Sequence, residues 1–83
     1  MYRLIISPRA KKHLKDIKKE NQEAVKISLD EIKEDPSTGK PLSRELSGKF
    51  SHRVGVYRII YRTNQKDKIV TILSARHRGV VYN

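Results

Sequence analysis

Apolar residues alternate at the start of the chain and again over its last third, with helical spacing between. In YRLIIS (2–7), Tyr2, Leu4 and Ile6 fall on every second position, which predicts a short half-buried strand. Ser7-Pro8 follows, a hydroxyl that can accept from a first helical turn and a proline whose fixed φ suits the first helical position. Ala10, Leu14 and Ile17 then share one helical face, opposite Lys11, Lys12, Lys15, Lys18 and Lys19. From Asn21 a second helix is predicted, with Val25, Ser28, Leu29 and Ile32 inward and Ala24 and Ile27 widening its apolar arc. It ends at Asp35-Pro36, because proline pushes the residue before it out of helical geometry. The stretch DPSTGKPLSRELSG (35–48), rich in proline, glycine and hydroxyl side chains, reads as a loop.

The period then returns to two. KFSHRV (49–54), VYRIIYR (56–62) and KIVTILSAR (68–76) read as three strands, separated by Gly55 and by the polar run TNQKD. Strict alternation puts Tyr57, Ile59 and Tyr61 on one face and Val56, Arg58, Ile60 and Arg62 on the other. The same rule groups Val70, Ile72, Ser74 and Arg76. The expected fold is α+β, in the order β-α-α-β-β-β: a small antiparallel sheet with an N-terminal helical hairpin on one face, as a single domain over residues 1–83.

Charge sharpens this picture. The chain has 19 Lys+Arg against 9 Asp+Glu, a formal net of +10. Residues 1–48 carry a net of +3 and residues 49–83 a net of +7, with Asp67 the one acid in the later segment. Arginine outnumbers lysine there, and its planar fork matches phosphate oxygens two at a time, so a nucleic-acid partner leads and an acidic protein is also compatible. The absence of cysteine excludes a disulfide framework, a zinc ribbon and thiol chemistry. No apolar run has the length of a membrane span or of a signal-peptide core, so a cytoplasmic protein with no membrane partner is expected. Arg58, set in an apolar strand, admits two accounts. Its head pairs with an acid such as Glu45, or it lines a basic surface with Arg76 and Arg78.

The run LSGKFSHRVGVYRIIY (46–61) and the ending SARHRGVVY (74–82) resemble the RelE/ParE superfamily of toxin–antitoxin toxins. The family shows a Leu-x-Gly, an arginine-bearing strand, a glycine turn, a Tyr-Arg-x-x-Tyr strand and an arginine-containing stretch ending in tyrosine. The match covers essentially the whole chain. For the RelE-type branch, the resemblance implies a toxin that cleaves mRNA in the ribosomal A site. It implies activity from Arg53, Arg58 and Arg78, with Arg76 competing for the last role, and from Tyr82 as a stacking or proton-transfer group. It also implies an acidic RelB-like antitoxin and a hetero-oligomeric toxin–antitoxin complex. The ParE-type branch shares the fold and inhibits DNA gyrase instead; a non-catalytic RNA-binding module is a third reading.

Cleavage by a 2′-hydroxyl needs a base, donors for the charge on the phosphorane and an acid for the departing oxygen. His13, His52 and His77 are far apart in sequence and acids are scarce after residue 45, so no metal-ligand cluster and no cofactor are expected. Arginines with His77 and Tyr82 are the candidate catalytic groups, and Arg44, Lys49, His52 and Arg76 the candidate RNA contacts. A subgroup of the family has a glutamate just before the Pro-Leu that leads into the β region; here that position is Lys40, before Pro41-Leu42.

Overall fold

The structure, a computed structural model, describes residues 1–43 and 47–79. Arg44, Glu45, Leu46 and residues 80–83, Tyr82 among them, lie outside the described residues. The elements are β1 (Arg3–Ile6), α1 (Pro8–Lys15), α2 (Lys19–Glu34), a 3-10 turn (Pro36–Thr38), β2 (Lys40–Pro41), β3 (Lys49–Val54), β4 (Tyr57–Asn64) and β5 (Ile69–His77). They form one five-stranded sheet in the order β1-β5-β4-β3-β2.

The α+β class and the order of the long elements are as the sequence predicts, with two differences in the sheet. It is mixed, because β1 runs parallel to β5 while the other pairs are antiparallel. The hydrophobic period fixes which residues pair inward, but strand direction is set by the path through the two helices. The second difference lies in the segment read as loop. There Lys40 and Pro41 pair with Ser51 and Phe50, adding a two-residue edge strand that its proline blunts.

Local signals account for the helices. Ser7 caps α1, its Oγ accepting from the Ala10 N–H at 3.1 Å, and the same hydroxyl reaches the Leu73 carbonyl at 3.3 Å. Between the helices, Gln22 Nε2 donates to the Ile17 carbonyl at 3.1 Å. Lys18, at the start of α2, has no side-chain cap, and its N–H points at Tyr57 Oη, 3.5 Å away on β4. Asp35 closes α2 and then caps the 3-10 turn, accepting from the Ser37 N–H at 3.1 Å.

Both helices pack on one face of the sheet. Ala10, Ile17, Val25 and Ile32 meet Val54, Ile59, Tyr61, Val70, Ile72 and Ala75, with Tyr2, Leu4, Ile6, Leu14, Leu29, Phe50 and Tyr57 packed around them. Tyr61 is the largest fully buried side chain. Its hydroxyl donates to the Pro36 carbonyl at 2.5 Å and accepts from the Gly39 N–H at 3.0 Å, pinning the segment that leads into β2. Burial raises the Tyr61 pKa above that of an ordinary phenol, so it stays protonated as a donor. A Cβ on Gly39 would run into the Tyr61 ring and hydroxyl, which explains a glycine at that position. On the other face Ile5, Arg53 and Arg62 are exposed, while Ile60 is buried.

Candidate functional site

A β-bulge decides what the open face displays. Up to Ile72, β5 alternates as the sequence predicts, with Val70 and Ile72 in the core. The register on β4 then shifts between Ile60 and Tyr61, and beyond it Ile60 faces Ser74, Ile59 faces Ala75 and Arg58 faces Arg76. One extra residue on β5 therefore moves Ser74 and Arg76 to the face opposite Val70 and Ile72. The four residues grouped by strict alternation are split in two, because a bulge breaks a period of two without marking the sequence.

The consequence is a row of arginines. Arg53 on β3 pairs with Arg58 on β4, and Arg58 pairs with Arg76 on β5. Directly paired Cα atoms lie about 4.5–5.5 Å apart, so three guanidinium stems rise from a strip of sheet roughly 10 Å wide. Arg53 is exposed, whereas Arg58 and Arg76 are half-buried. Beside the row, Lys40, Leu42, Ser51, Arg53 and Arg58 line a concavity of about 370 Å3. No carboxylate is among these lining residues. Arg58 Nε–H is buried and donates to no partner among the described residues. Glu45, the acid that the pairing account assigned to Arg58, lies outside them.

The remaining predicted residues are distributed unevenly. Lys49 joins the open face, opposite Arg62. His52 pairs with Ile59, half-buried on the face that carries the helices. His77 pairs with Tyr57 on that same face, their rings edge-on at 6.1 Å, and its Nδ1 accepts from the Gly79 N–H at 3.1 Å. Arg78 is exposed just past β5, where its backbone N–H donates to the Val56 carbonyl at 2.7 Å beside the Gly55 turn. The structure thus gathers Arg53, Arg58 and Arg76, and brings neither His52 nor His77 to them. Tyr82 and Arg44 lie outside the described residues.

Two residues were not among the candidate site residues of the sequence reading, although Lys40 was noted there as standing in place of a glutamate. Lys40 enters the concavity because β2 pairs with β3 through Lys40 and Ser51. Its signal was a lysine flanked by glycine and proline, which marks a turn more readily than a site. His13 is the other. Past Ile6 the parallel partner of β5 ends and α1 crosses its edge, where His13 Nδ1 accepts from the Ala75 N–H at 3.3 Å. The imidazole replaces a strand acceptor immediately before Arg76. Burial, then the nearby Arg76 and Arg9 and more weakly Lys12, hold the His13 pKa below its ordinary value, against a smaller opposing pull from Asp16.

Such a surface can bind and neutralise a phosphodiester: guanidinium and ammonium donors on adjacent strands, a partly enclosed floor, and no carboxylate among the described lining residues. Among the described residues, no three His, Cys, Asp or Glu side chains come together in a way that could hold a metal ion. No helix among them is long and apolar enough to cross a membrane.

Known proteins share both sequence and shape with this chain. The profile of the family described as ParE toxin of type II toxin-antitoxin system, parDE, matches residues 4–82. Toxin RelG of Mycobacterium tuberculosis is 41% identical over 59 residues, which is 70% of this chain and 68% of that protein. In the toxin–antitoxin complex RelBE2 from Mycobacterium tuberculosis, a chain superposes with a TM-score of 0.85 at 34% identity, covering 93% of this chain and 98% of that one. The archaeal RelE-RelB complex from Pyrococcus horikoshii gives a TM-score of 0.77 at 28% identity, covering 96% and 98%.

Proposed function

The chain belongs to the RelE/ParE superfamily of type II toxin–antitoxin toxins, and from that membership and the arginine row we propose that it is a metal-independent endoribonuclease that cuts mRNA in the ribosomal A site and so inhibits translation. One observation carries the reading: Arg53, Arg58 and Arg76 stand in register on three adjacent strands beside Lys40. In the proposed reaction the 2′-oxygen attacks phosphorus and the bond to the 5′-oxygen breaks. The products are a 2′,3′-cyclic phosphate and a 5′-hydroxyl. Negative charge builds on the non-bridging oxygens, and cations fixed before the substrate arrives stabilise it without reorganising. Arg76 takes the C-terminal arginine's role in this scheme, since it is the arginine paired with Arg58. Proton transfer is not assigned to His77, whose Nδ1 is already engaged and whose ring lies on the other face.

The proposed partners are the ribosome, its message and an acidic RelB-like antitoxin, within a cytoplasmic hetero-oligomer. The structural neighbours support the antitoxin, since RelBE2 and the Pyrococcus protein were solved in such complexes. Ile27 on α2 remains 51% exposed, and Leu14, Ile17, Val25 and Leu29 line a groove of about 180 Å3 between the helices. These apolar surfaces suit an amphipathic segment that folds as it binds.

The ParE profile match favours a second reading, inhibition of DNA gyrase without RNA chemistry. One experiment separates the two. The protein is added to translating ribosomes with divalent metal controlled by chelation, message 3′ ends are mapped, and gyrase supercoiling is assayed in parallel. A-site cuts that vanish in Arg58→Ala support the nuclease. Inhibited supercoiling with intact message replaces it by the inhibitor. RNA binding with neither effect leaves a non-catalytic module.

A further inference from the structure

The open face carries a second row in register. Ile5 on β1 pairs with Thr71 on β5, Thr71 with Arg62 on β4, and Arg62 with Lys49 on β3. Arg62 follows Arg58 by four residues on the same strand, about 13 Å along the sheet. A concavity of about 690 Å3 lies here. Ile5 and Ile69 supply apolar surface, Ile5 being 43% exposed, while Thr71, Gln65 and Arg62 border it with hydrogen-bonding groups. Asp67, the one acid of the later segment, is turned into the hairpin, where Asn64 Nδ2 donates to its Oδ2 at 2.9 Å.

We propose that this second row is a nucleotide subsite for the same single-stranded RNA that the arginine row holds, with Arg62 and Lys49 on a phosphate and a base lying across Ile5 and Ile69. The inference rests on the nuclease reading and extends it from a scissile phosphate to a strand-long track. Stacked nucleotides rise about 3.4 Å each, so about four steps span the gap between the rows, and fewer when the strand is extended. The face suits RNA better than an acidic peptide because its cations come in two spaced rows, the second beside an apolar floor bordered by hydrogen-bonding groups. That spacing matches phosphates alternating with bases. The exposed aliphatic floor accepts any base face and so implies little sequence preference at this position.

The test uses fluorescence anisotropy with labelled 2′-O-methyl oligoribonucleotides of four and eight nucleotides, which lack the attacking hydroxyl. The folded state of each variant is verified by thermal melting. Wild type binds the octamer more tightly than the tetramer, and Arg62→Ala lowers that affinity ratio at least threefold. It also flattens the dependence of log K on log salt by about 0.7 for the octamer, the contribution of one phosphate contact on a single strand. Ile5→Ser lowers the ratio as well, through the base rather than the phosphate, and leaves the salt dependence unchanged. A ratio unchanged in both variants, with message cleavage still lost in Arg58→Ala, overturns the subsite and leaves the nuclease reading standing. Tetramer binding and message cleavage that both survive in Arg58→Ala overturn the nuclease reading itself. Should both second-row variants weaken binding of a Glu-rich 20-residue peptide while leaving the oligonucleotide ratio intact, the surface belongs to a protein partner and the subsite is wrong.

Discussion

Replacing Arg58 by methionine should make the protein more stable while disabling it. Arg58 stands between Arg53 and Arg76, directly paired with each. Like charges facing one another across a strand pair destabilise by about 0.2–1 kcal/mol each. Its Nε is buried with no partner among the described residues. A buried donor left unsatisfied costs about 1–3 kcal/mol. Methionine keeps an unbranched stem on the sheet and removes both penalties, so the expected gain is about 1–3 kcal/mol, with some packing lost. In a chain of 83 residues each kcal/mol shifts Tm by about 4–8 °C. The assay is urea unfolding of wild type and Arg58→Met at low and high salt. Screening shortens from about 10 Å at 0.1 M to about 3 Å at 1 M, so the repulsive part of the gain fades with salt and the Nε part persists. A variant less stable than wild type by more than about 0.5 kcal/mol would refute the reasoning, because it would mean that Arg58 makes a net stabilising contact.

Two further perturbations probe the supports of the site. Tyr61→Phe strands the buried Gly39 N–H and the Pro36 carbonyl, and a loss of about 1–3 kcal/mol at unchanged m is expected in urea unfolding; a loss below about 0.5 kcal/mol contradicts it. Lowering pH below about 6.5, the ordinary histidine value, should destabilise the fold through His13. Its folded pKa is depressed, so the unfolded chain binds more protons there, and the stabilising contribution is full above the unfolded pKa and is lost as pH falls through the folded one. Protonation also removes the acceptor for the Ala75 N–H. His13→Ala should show a shallower acid limb than wild type in pH-dependent melting, and an identical limb would contradict the assignment.

The sequence was most legible where a residue type has one dominant mechanism. Ser7-Pro8 starts a helix as expected, Asp35-Pro36 ends one, and Gly55 takes a positive φ of 56° in the turn between β3 and β4. Alternation in β4 correctly put Tyr57, Ile59 and Tyr61 on one face, which is the face that packs against the helices. It failed on β5, because a bulge depends on how two strands are paired and neither strand encodes it alone. That failure put Arg76 on the wrong face of β5, so the grouping of Arg58 with Arg76 and Arg78 carried no register, and the family resemblance alone ranked Arg78 ahead of Arg76. The placement of Lys40 beside the row stayed hidden because a two-residue edge strand carries no periodicity, and the role of His13 because it comes from packing α1 across a strand edge more than sixty residues later.

The central claim is that arginines in register across β3, β4 and β5 hold the charge of a breaking phosphodiester. Its most direct test is the single-turnover rate of message cleavage on programmed ribosomes at saturating toxin, for wild type and Arg58→Met. Removing one such preorganised donor should slow the chemical step by about 10²–10³-fold in a variant that remains folded and at least as stable as wild type. A rate within about threefold of wild type would show that the row takes no part in the reaction.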